Sequence, residues 1–67
     1  MDRKEKFDRL VEALRSANKI HLFDGTLAVL LDHIEGCVNV MLVNTYLILL
    51  EDICADKGLS VENLLQR

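Results

Sequence analysis

The 67-residue sequence contains no proline and no tryptophan, and it has only three glycines and three aromatic residues. Proline and glycine are the residues that most often interrupt helices, so their scarcity favours an all-α protein. Leu, Val and Ile must fill most of the core, because the apolar fraction is 51% and the aromatic fraction only 4%. We expect one small domain over residues 1–67, which at this length is marginally stable unless it is stapled or oligomeric.

The sequence also lacks the segments that direct a protein into or across a membrane. Residues 1–19 are rich in charge and contain no apolar core of a secretory signal. The longest apolar run, Cys37–Leu50, is shorter than the roughly 20 residues that a membrane span needs. Two cysteines without an export signal are typical of a reducing compartment. We therefore expect a cytoplasmic protein that does not bind membranes.

No combination of residues indicates catalysis or metal binding. Asp24-Gly25-Thr26 has one glycine where a phosphate-binding loop needs several, and no nucleophile is paired with a base. His33 and Cys37 become neighbours only if one helix continues through Gly36, and two ligands are too few for structural zinc unless a dimer doubles them. The sequence predicts neither an enzyme nor a cofactor.

The net charge of −3 is unevenly distributed along the chain. Residues 1–19 contain six basic and four acidic side chains, whereas residues 20–67 contain two basic and seven acidic ones. This asymmetry predicts that the first helix lies against the acidic remainder of a neighbouring copy. Nucleic acid is not an expected partner, because four acids interrupt the only basic segment.

The longest apolar segment, Cys37–Ala55, is predicted to be the central helix. Its apolar residues extend around most of the helix, so it needs cover on nearly every side, and a second copy is the expected source. A heptad frame places Asn39, Tyr46 and Ile53 at a, and Leu42 and Leu49 at d. The predicted self-association interface comprises Asn39, Leu42, Val43, Tyr46, Leu49, Leu50 and Ile53.

Asn39 has two interpretations in this frame. A single Asn at an a position fixes register and oligomeric state, because mispairing buries an unsatisfied amide. The alternative is that Asn39 caps the helix or contacts water just after a break at Gly36. Cys54 lies on the core face and is interpreted as a small apolar residue.

Shorter helices are predicted on both sides of the central one. Asp2–Ala17 has helical apolar spacing and ends near Asn18. Residues 19–31 form either a β-hairpin or a turn followed by a helix, and the longer helical spacing favours the helix. We favour a break at Gly36 over one continuous rod. A last helix, Val61–Gln66, follows a Gly58 stop and is capped by Ser60.

The end of the chain resembles the last part of helix-turn-helix domains of the Cro and repressor type. The matching residues are Leu50, Ile53, Cys54, Gly58, Leu59, Ser60, Leu64 and Leu65, and Ile34-Glu35-Gly36 is similar to the glutamate–glycine that follows the recognition helix in those domains. The resemblance implies a related helical packing. Leu22–Glu35 is too short to supply both the scaffold and the recognition helix, and it contains no Arg, Lys, Gln or Asn to read bases, so no DNA-contacting residue is carried over.

Three functions remain open at this point. The first is a small acidic homo-oligomeric protein, a dimer in the favoured form, that binds and modulates another protein; regulators and inhibitors of this size are often encoded by phages or mobile elements. The second is a divergent helix-turn-helix DNA-binding regulator. The third is a small-ligand binder with a pocket between subunits, contacted by Asn39, Asn44 and Tyr46.

Overall fold

The computed structural model describes residues 2–66 and shows a helical bundle. The α-helices are α1 (Arg3–Ser16), α2 (Gly25–Ile34), α3 (Val40–Asp56) and α4 (Val61–Leu65), and a 3₁₀ turn lies at Ile20–Leu22. Residues 2–66 contain no strand, which confirms the all-α prediction and the choice of a helix over a hairpin.

Side-chain caps and a left-handed residue define the limits of α1. The Asp2 carboxylate accepts a hydrogen bond from the Glu5 amide at 2.7 Å. At the other end, Asn18 has a φ of 57°, and the Lys19 amide donates to the Leu14 carbonyl at 2.8 Å. Asn tolerates this conformation better than most residues, so the helix ends where the sequence predicts.

The chain breaks at Gly36, as expected. The Asp24 side chain caps α2 by accepting from the Thr26 amide. After Ile34 the backbone makes a tight turn in which the Cys37 amide donates to the Ile34 carbonyl at 2.8 Å. Gly36 has a φ of 86°, a conformation that glycine adopts without strain. The turn therefore separates α2 from α3.

Helix α3 begins three residues later than the sequence predicts, because Asn39 caps it. The Asn39 side chain accepts from the Leu42 amide at 3.1 Å. The helix ends at Asp56. Gly58 follows with a φ of 73°, and the Leu59 amide donates to the Cys54 carbonyl at 2.8 Å. The Ser60 hydroxyl then caps α4 through the Asn63 amide, as predicted.

The core lies mainly between α1 and α3. Helix α1 packs against both α3 and α4, and its apolar stripe is completely buried; the stripe comprises Phe7, Leu10, Val11 and Leu14. Helix α3 contributes one buried stripe, which we call its inner face; it comprises Val43, Leu47, Leu50 and Cys54. Helix α3 contacts each of the other three α-helices, although only its inner face is buried in the single chain.

Ion pairs join α1 to the acidic part of the same chain. The Lys6 ammonium lies 3.0 Å from the Glu51 carboxylate on α3. Arg15 pairs with Asp32 and with Glu35, at the end of α2. The hydrogen bond that its guanidinium donates to the Glu35 carboxylate is the largest cause of the raised pKa of Arg15. The predicted contact between α1 and acids of a neighbour is thus made within the chain.

Replacing Leu47 with alanine tests the inner face. Leu47 is fully buried, so Leu47→Ala should lower the free energy of unfolding by about 2–5 kcal/mol. Urea denaturation followed by circular dichroism measures the change. Val29→Ala is the control, since Val29 is 55% exposed and its replacement should change stability by less than about 0.5 kcal/mol. Equal decreases in the free energy of unfolding for the two variants would contradict the assignment of Leu47 to the core.

Candidate interaction surface

Within residues 2–66, nine large apolar side chains are exposed, and they lie between residues 22 and 49 of the sequence. We call this set the apolar surface; it comprises Leu22, Val29, Leu30, Val38, Val40, Met41, Leu42, Ile48 and Leu49. Single exposed apolar residues are ordinary, whereas exposed apolar residues that adjoin one another are typical of interaction sites. Within the described residues, α1 and α4 contribute no member.

Part of this surface runs along the side of α3 opposite the inner face, where Met41 is 82% and Ile48 50% exposed. Val38, which is 89% exposed, lies just before the helix. We call the line of α3 positions spaced alternately by four and three residues the outer seam; it comprises Met41, Thr45, Ile48 and Asp52. Alternating spacings of three and four are those of an a/d seam in a helix pair.

Apart from Asp52 at its end, the outer seam has no charged side chain, and Thr45 has its only hydroxyl. No residue from Gly36 to Leu50 is charged. The Thr45 hydroxyl donates to the Met41 carbonyl of its own helix at 2.9 Å, so its burial would leave no unsatisfied donor. An apolar partner can therefore cover the seam at little desolvation cost.

The structure divides the predicted self-association interface between two environments. Val43 and Leu50 are only 1% exposed and belong to the core of the single chain. Leu42 and Leu49 are about 40% exposed and flank the outer seam, while Tyr46 and Ile53 pack, partly buried, against the core. Of the predicted interface residues, Asn39, Leu42 and Leu49 are therefore exposed to a partner, and Tyr46 and Ile53 are partly exposed.

The predicted interface omits three exposed members of the surface: Val38, Met41 and Ile48. A second apolar a/d spacing, one position earlier in the heptad, contains all three and was the available signal. In the structure Asn39 is the cap of α3, so it lies at the start of the helix, as in the second of its two interpretations.

The structure does not bring the three predicted ligand contacts together. The Asn44 side-chain oxygen accepts a hydrogen bond from the Arg3 guanidinium of α1. Tyr46 is two residues further along α3, which places it about 200° around the helix from Asn44. Asn39 uses its side-chain oxygen as the cap. A ligand in contact with all three would require residues from two subunits.

The two cysteines and two histidines are also not brought together as metal ligands. His21 and His33 are exposed, and the Gly36 turn lies between His33 and Cys37. In residues 2–66, no group of three or more His, Cys, Asp or Glu side chains is arranged to hold a metal ion. Cys54 is fully buried; its burial, with a smaller contribution from the Glu51 charge, raises the pKa of its thiol.

The basic side chains of α1 are neutralised by nearby carboxylates. Each of the five basic side chains of α1 lies within 4.0 Å of a carboxylate; they are Arg3, Lys4, Lys6, Arg9 and Arg15. Neutralised cations release few counterions from a nucleic acid, so this face provides little of the attraction on which DNA binding depends.

A shallow groove between α1 and α4 is the other surface feature. It is lined by Asp8, Arg9, Glu12, Ala13, Ser16, Leu64 and Leu65. Its sides carry both signs of charge, and its floor is apolar where α4 contacts α1.

No helix within residues 2–66 is both long and apolar enough to span a membrane. No family model, no curated protein and no solved structure gives a significant match to this chain.

Asn39→Ala tests the role of Asn39 as a cap. Loss of the cap should lower the free energy of unfolding by about 0.5–2 kcal/mol. Asn39→Asp should retain stability, because its carboxylate can accept the same Leu42 amide and complements the positive end of the helix dipole. Urea denaturation measures both variants. A stable alanine variant with an altered oligomeric state would instead support the register role.

The two cysteines should differ in reactivity. Cys37 is partly exposed and Cys54 is buried, so a thiol reagent should modify Cys37 quickly at pH 8 and Cys54 only as the chain unfolds.

Because burial raises the pKa of the Cys54 thiol, the folded chain keeps this proton to a higher pH than the unfolded chain does. Stability should therefore fall as the pH rises above about 8.5, the ordinary range of a thiol.

Cys54→Val is the matched control for this pH dependence. The variant keeps an apolar side chain of similar size and lacks the titrating thiol, so subtracting its stability curve isolates the contribution of Cys54. Identical curves for the two proteins between pH 8 and pH 10 would contradict the assignment.

Proposed function

We propose that this protein is a small homo-oligomeric interaction protein, most simply a dimer, that binds and modulates another macromolecule. The observation that carries the proposal is the confinement of exposed large apolar side chains to residues 22–49. A monomer gains nothing from exposing Met41 and Val38, whereas their burial contributes about 25 cal/mol for each Å² of apolar area.

Self-association through α3 leaves the groove between α1 and α4 available, because no outer-seam residue lines it. The faces of α1 and α4 that surround the shallow groove carry charges of both signs, including Arg9 and Glu12. A mixed-charge rim around an apolar floor has the composition of a specific protein contact. We propose that the partner protein binds at this groove, and that the protein acts as a regulator or inhibitor in a reducing cytoplasm, where the buried thiol of Cys54 stays reduced.

Light scattering over a dilution series tests the self-association. The protein should have the mass of a dimer at high concentration and should dissociate on dilution. Met41→Glu should weaken the assembly by at least about tenfold, because it buries an unpaired charge. Position 41 is in the first turn of α3, where an acid is favourable to the helix itself, so the variant should remain folded.

Asn63→Glu is the control for this variant. Asn63 is exposed on α4, so its replacement adds the same charge away from the apolar surface and should leave the mass unchanged. A wild-type protein that is monomeric at every concentration would overturn the proposed self-association. Equal weakening by the two variants would show that net charge, rather than the seam, controls assembly.

The groove is tested separately by affinity capture of proteins from the source cells. Arg9→Glu reverses a charge at the rim and should reduce recovery of a specific partner, whereas Met41→Glu should not unless the partner needs the dimer. A partner recovered equally with Arg9→Glu would show that it binds elsewhere.

A further inference from the structure

We infer that the outer seam of α3 packs against the outer seam of a second copy of this chain with the two helices antiparallel. The inference rests on the proposed self-association and adds the surface, the occupant and the orientation. Three properties of α3 support it: the absence of charge from Val40 to Leu50, the position of its acids near its C-terminal end, and the side chains near its middle.

The lack of charge favours a second copy as the occupant. From Gly36 to Leu50 the chain offers no charged group, so it cannot select a foreign partner by charge complementarity. The seam has the a/d spacing by which a helix packs against one like itself. A two-fold dimer also uses the same patch on both subunits and closes the assembly.

The distribution of acids determines the orientation. Both exposed acids of α3, Asp52 and Asp56, lie in its last turns. In a parallel pair, each of these acids would lie beside the same acid of the partner subunit, and the two negative charges would repel each other. An antiparallel pair places Asp52 beside the first turn of the partner helix, where the amides of Val40 and Met41 have no acceptor within the helix and the dipole favours a negative charge.

The side chains near the middle of the seam are consistent with this arrangement. Antiparallel helices of this type pack a positions against d positions, which pairs Thr45 with Ile48 of the partner subunit and Met41 with Asp52 of the partner subunit. The two-fold axis then passes between Thr45 and Ile48, close to the middle of Val40–Asp56. Thr45 is small and its hydroxyl is already bonded within the helix, so it allows close approach.

The rest of the apolar surface supplies the remaining contact area. A standard interface buries about 800 Å² on each partner, which is roughly a fifth of the 4294 Å² accessible surface of this chain. One helix face alone rarely reaches that area. We therefore expect Val38, Leu42 and Leu49, which border the seam, to become buried together with it.

Disulfide trapping tests the orientation. Two variants, Thr45→Cys and Ile48→Cys, are prepared with different tags in a Cys37→Ser background, and Cys54 remains buried. They are mixed at a concentration where the wild type is dimeric and are then oxidised. In the antiparallel pair, the disulfide between the two different variants should exceed either same-variant disulfide by at least about fivefold, because only that pair brings the Cα atoms within bonding range.

A charge substitution gives a second measurement that needs no oxidation. In the antiparallel pair, Met41→Lys lies beside Asp52 of the partner subunit, whereas Met41→Glu lies beside the same acid and is repelled. The lysine variant should therefore dimerise at least about tenfold more tightly than the glutamate variant. In a parallel pair both variants place like charges together and should be equally weak.

The outcomes separate this inference from the proposed function. A wild-type protein that stays monomeric overturns both. A dimer in which same-variant disulfides dominate overturns the antiparallel orientation and leaves self-association standing. A dimer that forms neither kind of disulfide overturns the seam as the contact surface.

Discussion

The packing of the apolar stripe of α1 is the interaction on which the rest of the structure depends. Within residues 2–66, α1 and the inner face of α3 supply eight of the twelve buried apolar side chains, and α4 packs against both helices. The partly exposed ion pairs around this contact are each worth less than about 1 kcal/mol, so apolar burial provides most of the stability. Lys6 and Arg15 instead fix where α3 and α2 lie against α1.

This arrangement explains why the chain exposes so much apolar area. Helix α1 has one apolar stripe, and it is used completely. Helix α3 has apolar residues in almost every direction, but α1 can cover only the inner face. Helix α4 has only five residues and packs against α1 and α3. The outer seam is thus left uncovered because the chain has no further helix to place there, and each of the three remaining helices has charged residues on its outer side.

The sequence predicts the limits of the helices well, because each limit depends on a few local residues. Asp2, Asp24 and Ser60 cap helices through their own side chains, and Gly36 and Gly58 adopt the conformations that glycine favours at helix ends. Which side of α3 faces the core could not be predicted in the same way. An apolar spacing starts at almost every position of Val40–Asp56, so only the contact with α1 decides which stripe is buried. That is why Val43 and Leu50 proved to be core residues, while Met41 and Ile48 were missed.

The two stripes of α3 differ in a way that bears on function. The inner face consists of residues without side-chain polar groups other than a thiol, whereas the outer seam ends in Asp52 and contains Thr45. In a single chain Asp52 is an ordinary solvated acid at the end of an exposed seam. In the proposed antiparallel dimer each carboxylate would also lie at the positive end of the other helix. The same charge would oppose parallel pairing, so Asp52 would favour the proposed contact and disfavour its main competitor.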